Sequence, residues 1–354
     1  MVILVTGGAG FIGSALIRHL LLEKKHMIIN VDNLSYSGNL ESIPDSQSNK
    51  NYVFENCDIT QKKVITDLIL KYEPNLIFHL AAESHVDRSI DGPEDFIKTN
   101  ILGTFNILEA SREYLKSNIS KAGFLFRFHH VSTDEVFGDL KEKDSRFTES
   151  SLYDPSSPYA ATKASSDHLV RAWGRTFKIP YIISNCSNNY GPYQFPEKLI
   201  PHTIINAIKG KNLPVYGNGL QIRDWLYVDD HVKALMEIAQ HGELNHSYNI
   251  GGDNEIKNIQ VITSICEYLD KKIEVKPRNI ESFHELITYV TDRPGHDQRY
   301  AIDASKIKST LSWVPEEKFK TGLIKTIDWY LDNSGWWERI LSGEYKLQRI
   351  GKKG

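Results

Sequence analysis

Residues 2–13 read Val-Ile-Leu-Val-Thr-Gly-Gly-Ala-Gly-Phe-Ile-Gly, an apolar β-branched run that leads directly into a glycine-rich turn. The run predicts a buried strand, and the residues after Gly10 predict the start of a helix. Glycines at such a junction permit a tight turn and let the backbone approach a pyrophosphate at the helix N-terminus. A strand–helix turn without a ligand has the same pattern, so the surrounding sequence has to distinguish the two.

An acidic residue ends the second predicted strand, and it lies about 20 residues beyond the glycines, where dinucleotide-binding folds place a carboxylate against a ribose. Because this residue, Asp32, would accept both ribose hydroxyls and repel a 2′-phosphate, the sequence predicts NAD rather than NADP. Ligands lie at the carboxyl ends of parallel strands, so five residues at later strand ends are further cofactor candidates, although each fits an ordinary strand end equally well: Asp58, Ile59, Leu80, Ala81 and Ala82.

Short apolar runs alternate with helical patterns through the first half of the chain, which is typical of βαβ units. We therefore expect an α/β fold with a doubly wound, Rossmann-type parallel sheet. The predicted strands are 2–6, 27–32, 52–55, 76–80, 126–132 and 181–184, and the predicted helices are 12–22, 62–72, 93–115 and 159–177, with Thr60 as a candidate N-cap. After about residue 185, loops rich in Asn, Gly and Pro indicate a region that carries binding loops, and 45–51 and 351–354 are the candidates for disorder.

Composition excludes several classes of partner. Of the 354 residues 40% are hydrophobic and 25% are charged, and the net charge of −3 comes with scattered Lys and Arg, so we expect no nucleic-acid partner. No apolar run approaches the ~18 residues of a membrane span, and the chain enters a strand without a charged leader, so we expect no membrane partner and a cytoplasmic location. Cys57, Cys186 and Cys266 lack metal-ligand or disulfide spacing, which predicts reduced core thiols and no metal site.

Tyr159 and Lys163 are spaced to share one face of a predicted helix. A nearby cation favours the phenolate, so we expect it to lower the pKa of Tyr159 and let the phenolate take a hydroxyl proton. Alone, such a pair is more often a surface pair. With a dinucleotide fold before it, and with Thr133 at a predicted strand end able to bind the same hydroxyl, it indicates alcohol oxidation by hydride transfer to nicotinamide.

Two adjacent carboxylates, Asp134 and Glu135, follow Thr133 directly. Beside a hydride-transfer centre, two carboxylates can divide acid and base roles when their surroundings separate their pKa values. After a sugar C4 becomes a ketone, the C5 proton is acidified and the C6 hydroxyl becomes a β-leaving group, so elimination needs one base and one acid. The alternative is that the pair begins a loop and binds backbone amides.

Five longer stretches are distinctive: 81–89 (AAESHVDRS), 133–138 (TDEVFG), 188–193 (NNYGPY), 195–201 (FPEKLIP) and 293–297 (RPGHD). With the glycine turn and the Tyr159–Lys163 pair, they resemble the dTDP-glucose 4,6-dehydratase family, within the extended branch of the short-chain dehydrogenase/reductase superfamily. The resemblance runs nearly end to end, including Trp329, Trp336 and Trp337. It implies that Thr133 acts on the 4-hydroxyl, Asp134 as the acid at C6 and Glu135 as the base at C5. Phe137 departs from the tyrosine frequent in the family and leaves this chemistry untouched.

The resemblance also implies the binding residues. Arg223 and Arg293 are candidates for the diphosphate because a guanidinium matches phosphate bidentately, although either alone is more often a surface ion pair. The resemblance adds these sugar-nucleotide contacts: Ser84, Asn188, Lys198, Leu199, Pro214, Tyr216, Asn258 and His296. It adds these cofactor contacts: Gly7, Gly10, Phe11, Ile12, Gly13, Asn33, Leu34, Ser35, Ser84, Thr99, Tyr159, Lys163 and Asn189. His85 is expected to be a structural histidine.

From the resemblance we expect residues 1–185 to bind NAD and residues 186–354 to form mainly a smaller α/β domain for the nucleotide sugar, with about 222–250 returning to the first. The NAD would be tightly bound and recycled in each turnover. The related enzymes pair two helices across a homodimer interface, and the amphipathic stretches 93–115 and 159–177 are the equivalents here. Alternatives are a dehydratase of another nucleoside-diphosphate glucose such as UDP-glucose, a 4-epimerase of the same fold, and a catalytically silent NAD-binding protein.

Overall fold

A computed structural model describes residues 1–118 and 125–343, except residues 45 and 47. In these residues the strands are β1 (Val2–Thr6), β2 (Met27–Asp32), β3 (Tyr52–Asn56), β4 (Leu76–His79), β5 (Arg127–Thr133), β6 (Tyr181–Cys186), β7 (Asn188–Tyr190), β8 (Leu213–Tyr216), β9 (Ile222–Tyr227), β10 (His246–Ile250), β11 (Glu255–Lys257) and β12 (Ile287–Val290). The segment 351–354 and parts of 45–51, both predicted to be disordered, lie outside the described residues.

The helices are α1 (Phe11–Glu23), α2 (Lys62–Tyr72), α3 (Val86–Asp91), α4 (Pro93–Phe96), α5 (Thr104–Asn118), α6 (Pro158–Phe177), α7 (Leu199–Ile208), α8 (Val228–His241), α9 (Asn258–Lys272), α10 (Ser305–Leu311), α11 (Phe319–Asp332) and α12 (Ser334–Ser342). Short 3₁₀ turns lie at Leu40–Ser42, Asp134–Phe137, Pro277–Asn279 and Phe283–Leu286. A π-helical segment, Ile97–Gly103, joins α4 to α5.

A seven-stranded sheet in the order β10-β6-β5-β4-β1-β2-β3 forms the centre of the first region, and all its strands are parallel. Helices cover both of its faces, with α1 and α8 on one side and α2, α5 and α6 on the other. Strands buried on both faces need continuous apolar runs, which explains Val2–Thr6. The strand order reverses between β1 and β4, so a crevice for ligands opens at their carboxyl ends.

The second region has its own core under two small sheets, β11-β9-β7 and β12-β8, and the helices α7, α9, α11 and α12. Within the segment expected to return to the first region, α8 and β10 pack with the seven-stranded sheet, whereas β9 pairs with β7 and β11. The three cysteines are buried and free. Among the described residues, no helix combines the length and the apolar character that crossing a membrane would require.

The stretch 93–115 is helical throughout, as predicted, although Ile97–Gly103 between α4 and α5 has π-helical rather than α-helical hydrogen bonding. The predicted N-cap of α2 was wrong. Helix α2 has Gln61 rather than Thr60 as its N-cap, without a side-chain hydrogen bond, since Thr60 N donates instead to Asp58 Oδ1 at 2.8 Å. By contrast, α6 has the expected kind of start, with Ser157 Oγ accepting from Ala160 N at 3.1 Å and Pro158 in the first turn.

Candidate active site

The glycine-rich turn between β1 and α1 is shaped to admit a phosphate group. Gly7 has a φ of +71°, and a Cβ there would lie 2.6 Å from Ala81 N, so only glycine fits. A Cβ on Gly13 would lie 2.2 Å from Gly7 O, whereas one on Gly10 would meet only Gly7 O, at 3.2 Å. The N-terminus of α1 therefore faces an open space beside Gly10, as a pyrophosphate site requires.

Asp32 lies at the end of β2, beside this turn, and is buried. Its carboxylate accepts from Ala9 N at 2.9 Å and from Leu34 N at 2.8 Å, which fixes its orientation. Burial raises the pKa of Asp32, although these two backbone hydrogen bonds act against the rise. Each oxygen keeps lone pairs for a further donor, so the oriented carboxylate suits the two hydroxyls of a ribose.

A cavity of about 280 Å³ extends from the glycine turn to Tyr159. Of the predicted cofactor residues, Leu34 is the exception: it does not line this cavity and acts through its backbone on Asp32. The others all line it: Gly7, Gly10, Phe11, Ile12, Gly13, Asp32, Asn33, Ser35, Asp58, Ile59, Leu80, Ala81, Ala82, Ser84, Thr99, Tyr159, Lys163 and Asn189. The cavity, the glycine cradle and the oriented Asp32 together fit NAD.

The predicted catalytic residues meet at one end of this cavity. Thr133 is the last residue of β5, and its Oγ1 accepts from Glu135 N at 3.3 Å, which starts the 3₁₀ turn that carries Asp134 and Glu135. Tyr159 and Lys163 face the same space from α6. The hydroxyl of Thr133 also donates to Asp134 Oδ1 at 3.3 Å. Strand β5 and helix α6 therefore deliver an alcohol, two carboxylates, a phenol and an ammonium to one point.

Asp134 and Glu135 have different surroundings. Burial, followed by the nearby charge of Glu135, raises the pKa of Asp134 well above its usual value. Burial also raises the pKa of Glu135, but Arg293, Arg223 and Lys198 oppose the rise. Asp134 is therefore suited to hold a proton, and Glu135 is the more readily ionised of the two.

The expectation that Lys163 lowers the pKa of Tyr159 was wrong. Burial and the charge of Glu135 raise the pKa of Tyr159 well above its usual value. The ammonium of Lys163 donates to Val131 O at 2.9 Å, and burial lowers its own pKa. The sequence spacing brings the two side chains to one cavity but does not reveal how deeply both are buried.

A second cavity, of about 450 Å³, adjoins the first and is lined by residues from both regions of the chain. The predicted sugar-nucleotide residues that line it are Ser84, Asn188, Lys198, Leu199, Pro214, Tyr216, Arg223, Asn258, Arg293 and His296. Thr133 lines the first cavity instead. Five residues line both: Ser84, Glu135, Asn188, Glu197 and Lys198. Glu135 thus stands at the junction.

Several buried polar atoms of the second cavity have no hydrogen-bond partner among the described residues. They are Asn188 Oδ1, Asn206 Oδ1, Gln221 Oε1, Trp225 Nε1, Asn258 Oδ1 and Arg293 Nε. Buried polar atoms are normally hydrogen-bonded, so this concentration of donors and acceptors indicates a polar ligand. Arg223 also lines this cavity, and its Nη2 donates to Asp297 O at 2.9 Å.

Sequence reasoning missed residues that hold the site together from a distance. Asp87 pairs with Arg293 Nη1 at 3.0 Å and accepts from Tyr216 OH at 2.8 Å, so it orients two predicted substrate contacts. Glu197 accepts from Tyr36 OH at 3.0 Å and from Arg88 Nε at 3.3 Å. Asp87 and Glu197 lie within the distinctive stretches 81–89 and 195–201, which was the one available signal. Tyr300, on the wall of the second cavity, lies just beyond the stretch 293–297.

Comparison with known proteins places the chain among sugar-nucleotide enzymes. The family model described as GDP-mannose 4,6 dehydratase matches residues 4–326. A dTDP-glucose 4,6-dehydratase of Escherichia coli is 58% identical over 359 residues, which cover 99% of each chain. The chain belongs to the dTDP-glucose 4,6-dehydratase family.

Solved structures agree with this membership in the family. The structure of dTDP-glucose 4,6-dehydratase from Bacillus anthracis in complex with NAD has a TM-score of 0.83 and 41% identity, and covers 96% of this chain and 99% of that one. The UDP-glucose 4-epimerase of Thermotoga maritima with UDP-glucose has a TM-score of 0.81 and 28% identity, over 94% of this chain and 100% of that one. The predicted α/β fold with a Rossmann-type parallel sheet is confirmed, and epimerases share it.

Proposed function

We propose that this chain is an NAD-dependent hydro-lyase that converts dTDP-glucose to dTDP-4-keto-6-deoxyglucose and water. The observation that carries the proposal is the meeting of Thr133, Asp134, Glu135 and Tyr159 where the two cavities join. The first cavity would hold NAD and the second the nucleotide sugar, with the glucose between them. Bound NAD supplies a hydride acceptor for C4 and later a hydride donor for C6.

The side chains have separate tasks in this proposal. Tyr159, as phenolate, takes the proton of the 4-hydroxyl while Thr133 hydrogen-bonds the same oxygen. Glu135 removes the C5 proton, and Asp134 protonates the departing C6 hydroxyl, which leaves as water. The carboxyl proton of Glu135 exchanges with solvent, and Glu135 then protonates C5 as the hydride returns to C6. One proton finally passes from Tyr159 to Asp134, directly or through water, and restores the starting state.

The pKa directions support this division of work. Asp134 needs to be protonated at neutral pH to act as an acid, and burial raises its pKa well above the usual value. Glu135 needs to be ionised to act as a base, and three cations, Arg293, Arg223 and Lys198, favour its charged form. Tyr159 is the exception, because burial raises its pKa. A positively charged nicotinamide beside Tyr159 would favour the phenolate.

The experiment is incubation of the NAD-loaded protein with dTDP-glucose and UDP-glucose in parallel, with product mass followed over time. The dehydratase proposal expects the loss of one water from dTDP-glucose, whereas an epimerase would leave the mass unchanged and a silent NAD-binding protein would give no product. Preference for thymine over uracil rests on one methyl group, worth ~1–3 kcal/mol in an apolar pocket. Equal conversion of both substrates would refute the proposed preference for thymine over uracil.

The proposal includes a homodimer and a cytoplasmic location. Helices α5 and α6 pack side by side, and Ile97 and Leu102 of the adjoining π segment are 52% and 45% exposed. Apolar side chains on that surface would be covered by the same face of a second copy. Sedimentation of the wild type and of Leu102→Lys tests this: we expect a dimer for the wild type and a larger monomer fraction for the variant. A monomeric wild type would contradict it.

A further inference from the structure

Asp167 is a fully buried carboxylate that lines neither cavity. It lies on α6, one helical turn beyond Lys163 and two beyond Tyr159. Burying a carboxylate is costly unless hydrogen bonds and opposite charge compensate it. The steps assigned above to Tyr159, Thr133, Asp134 and Glu135 make no use of it.

Three donors, from two strands and from the loop before α6, converge on one oxygen of Asp167. Its Oδ2 accepts from Ser132 Oγ of β5 at 3.0 Å, from Asn185 Nδ2 of β6 at 3.3 Å and from the hydroxyl of Tyr153 at 2.8 Å. Asn185 Nδ2 also donates to Thr133 O at 3.1 Å. Asp167 therefore holds Ser132 directly and Thr133 through Asn185, immediately before the carboxylate pair.

The other oxygen of Asp167 faces a histidine. Asp167 Oδ1 lies 3.2 Å from His130 Nε2, and burial, followed by the charge of Lys163, lowers the pKa of His130 to about 4. Burial by itself would raise the pKa of Asp167, but His130, Lys163 and the Tyr153 hydroxyl outweigh it, so its pKa is lowered. Arg171 is linked to Asp167 through Tyr153, because the hydroxyl oxygen of Tyr153 accepts a hydrogen bond from Arg171 Nη2 at 2.9 Å.

Lys163 has few charged neighbours at neutral pH. Burial lowers its pKa, and Asp167 is the strongest influence that opposes this fall. The groups that face it from β4, β5 and β6 are His79, His130 and Cys186. The pKa of His79 is well below its usual value, that of His130 is about 4 and that of the Cys186 thiol is about 12, in each case chiefly through burial. With Tyr159 still protonated, these four groups are neutral.

We propose that Asp167 is a positioning residue of the dehydration reaction: its ionised carboxylate ties the catalytic end of β5 to α6 and serves as the counter-charge that keeps Lys163 protonated. Lys163 in turn provides the cation beside the Tyr159 phenolate. Asp167 acts through Lys163, Ser132 and Asn185 and touches neither substrate nor cofactor. The inference rests on the proposed function.

The test is Asp167→Asn, studied as the NAD-loaded enzyme. Mixing with dTDP-glucose should form reduced nicotinamide about 10²-fold more slowly than in the wild type, because the reacting groups are misplaced. Without the negative charge, Lys163 loses its proton at lower pH, so the alkaline limb of this first-turnover rate should move down by about 1 pH unit or more. The KM for dTDP-glucose should change much less than kcat. A wild-type rate with a wild-type alkaline limb would overturn the proposal.

A matched control separates this role from simple stabilisation. Asp230 is also a buried carboxylate, accepts from Glu316 N and Glu317 N at 2.9 and 2.7 Å, and lines neither cavity. Asp230→Asn should lower the melting temperature but leave the alkaline limb in place. If Asp230→Asn moved that limb as far as Asp167→Asn, the shift would reflect general loosening and the proposal would fall.

A milder variant covers the case in which Asp167→Asn does not fold. Tyr153→Phe removes one donor to Asp167 from outside both cavities and leaves the carboxylate in place. We expect a several-fold slower first turnover, an unmoved alkaline limb and unchanged NAD content. A lower melting temperature with an unchanged first-turnover rate would show that the network only stabilises the fold. Failure of the wild type to dehydrate dTDP-glucose would instead refute the proposed function.

Discussion

Asp134 and Glu135 are neighbours in the chain, yet their surroundings assign them different protonation states. Asp134 is buried, and its Oδ2 has no hydrogen-bond partner among the described residues, whereas Glu135 faces the second cavity and its cations. Asp134 accepts one hydrogen bond, from Thr133 Oγ1 to its Oδ1 at 3.3 Å, and a buried carboxyl group with so few donors is most stable when neutral. Adjacent residues on a tight turn can therefore supply an acid and a base to one sugar.

Glu135→Gln should separate oxidation from elimination. The variant should still form the 4-keto sugar with reduced nicotinamide but stall before C5 loses its proton, since removing a general base costs ~10²–10⁴ in rate. In deuterium oxide the wild type should incorporate deuterium at C5 and the variant should not, as measured by mass spectrometry. A variant that exchanges C5 and forms the 6-deoxy product at near wild-type speed would place the base elsewhere.

Tyr159→Phe should act one step earlier. Loss of the hydroxyl should nearly abolish formation of reduced nicotinamide, because the phenolate matters chiefly in the transition state. Binding of the nucleotide sugar should stay within a few-fold of the wild type, as measured by calorimetric titration. Weak binding with unchanged turnover would contradict the role assigned to Tyr159.

Asp32 should enforce the choice of cofactor. Its carboxylate would face the 2′-phosphate of NADP, and two like charges brought together cost several kcal/mol, so protein stripped of cofactor should bind NAD at least about 10²-fold more tightly than NADP. Asp32→Asn should narrow that difference. Comparable affinities of the wild type for the two cofactors would refute the prediction.

Site residues that form short sequence motifs could be predicted from the sequence. The glycine turn, the Tyr–Lys spacing and the acidic pair each indicate a function within a few consecutive positions. Asp87, Glu197 and Asp167 could not be predicted, since their roles depend on partners far away in the chain. Asp87 meets Arg293 at a separation of 206 residues, and Glu197 meets Arg88 at 109. Such contacts follow only from the assembled fold.

At the scale of elements, the termini of β1, α1, β5 and α6 position the chemistry. The apolar periodicity of these segments is strong, so their existence could be predicted from the sequence. The π-helical Ile97–Gly103 could not, because it preserves an apolar helical pattern while changing the backbone bonding. It contains Asn100, whose side chain hydrogen-bonds to the backbone N and O of Glu83 at 2.8 and 3.0 Å and so holds the loop that follows β4 and carries Ser84.

Gly13→Ala should weaken the junction of β1 and α1. Its Cβ would lie 2.2 Å from Gly7 O and 2.8 Å from Gly8 Cα, so the turn has to move. Overpacking of this kind costs about 1–3 kcal/mol, and we expect a lower melting temperature and less co-purified NAD. Gly92→Ala is the control, since its Cβ meets only Arg88 O at 3.8 Å. Equal NAD content in Gly13→Ala and the wild type would contradict the prediction that the contact between Gly13 and Gly7 O leaves no room for a side chain.

At the scale of the whole molecule, the second cavity is built jointly by the two regions. Ser84, His85 and Asp87 of the first region line it together with Arg223 and Arg293 of the second. Sequence texture indicated where the second region begins, whereas the return of α8 and β10 to the large sheet was expected only from the family resemblance. A ligand in this cavity contacts both regions, so its binding energy should stabilise the whole fold.

Binding of dTDP to the NAD-loaded protein should therefore raise the melting temperature. At a free dTDP concentration 100 times the Kd, the free energy of unfolding should increase by about 2.7 kcal/mol. Arg293→Gln should lose most of that shift, because it removes a cation proposed to bind the diphosphate. Arg339→Gln is the matched control: Arg339 also joins the two regions, through Glu41 at 2.7 Å, but it is exposed and lies outside both cavities. It should keep the full dTDP shift. A wild-type shift in Arg293→Gln would show that the diphosphate is bound elsewhere, whereas loss of the shift in both variants would indicate a general coupling between the regions.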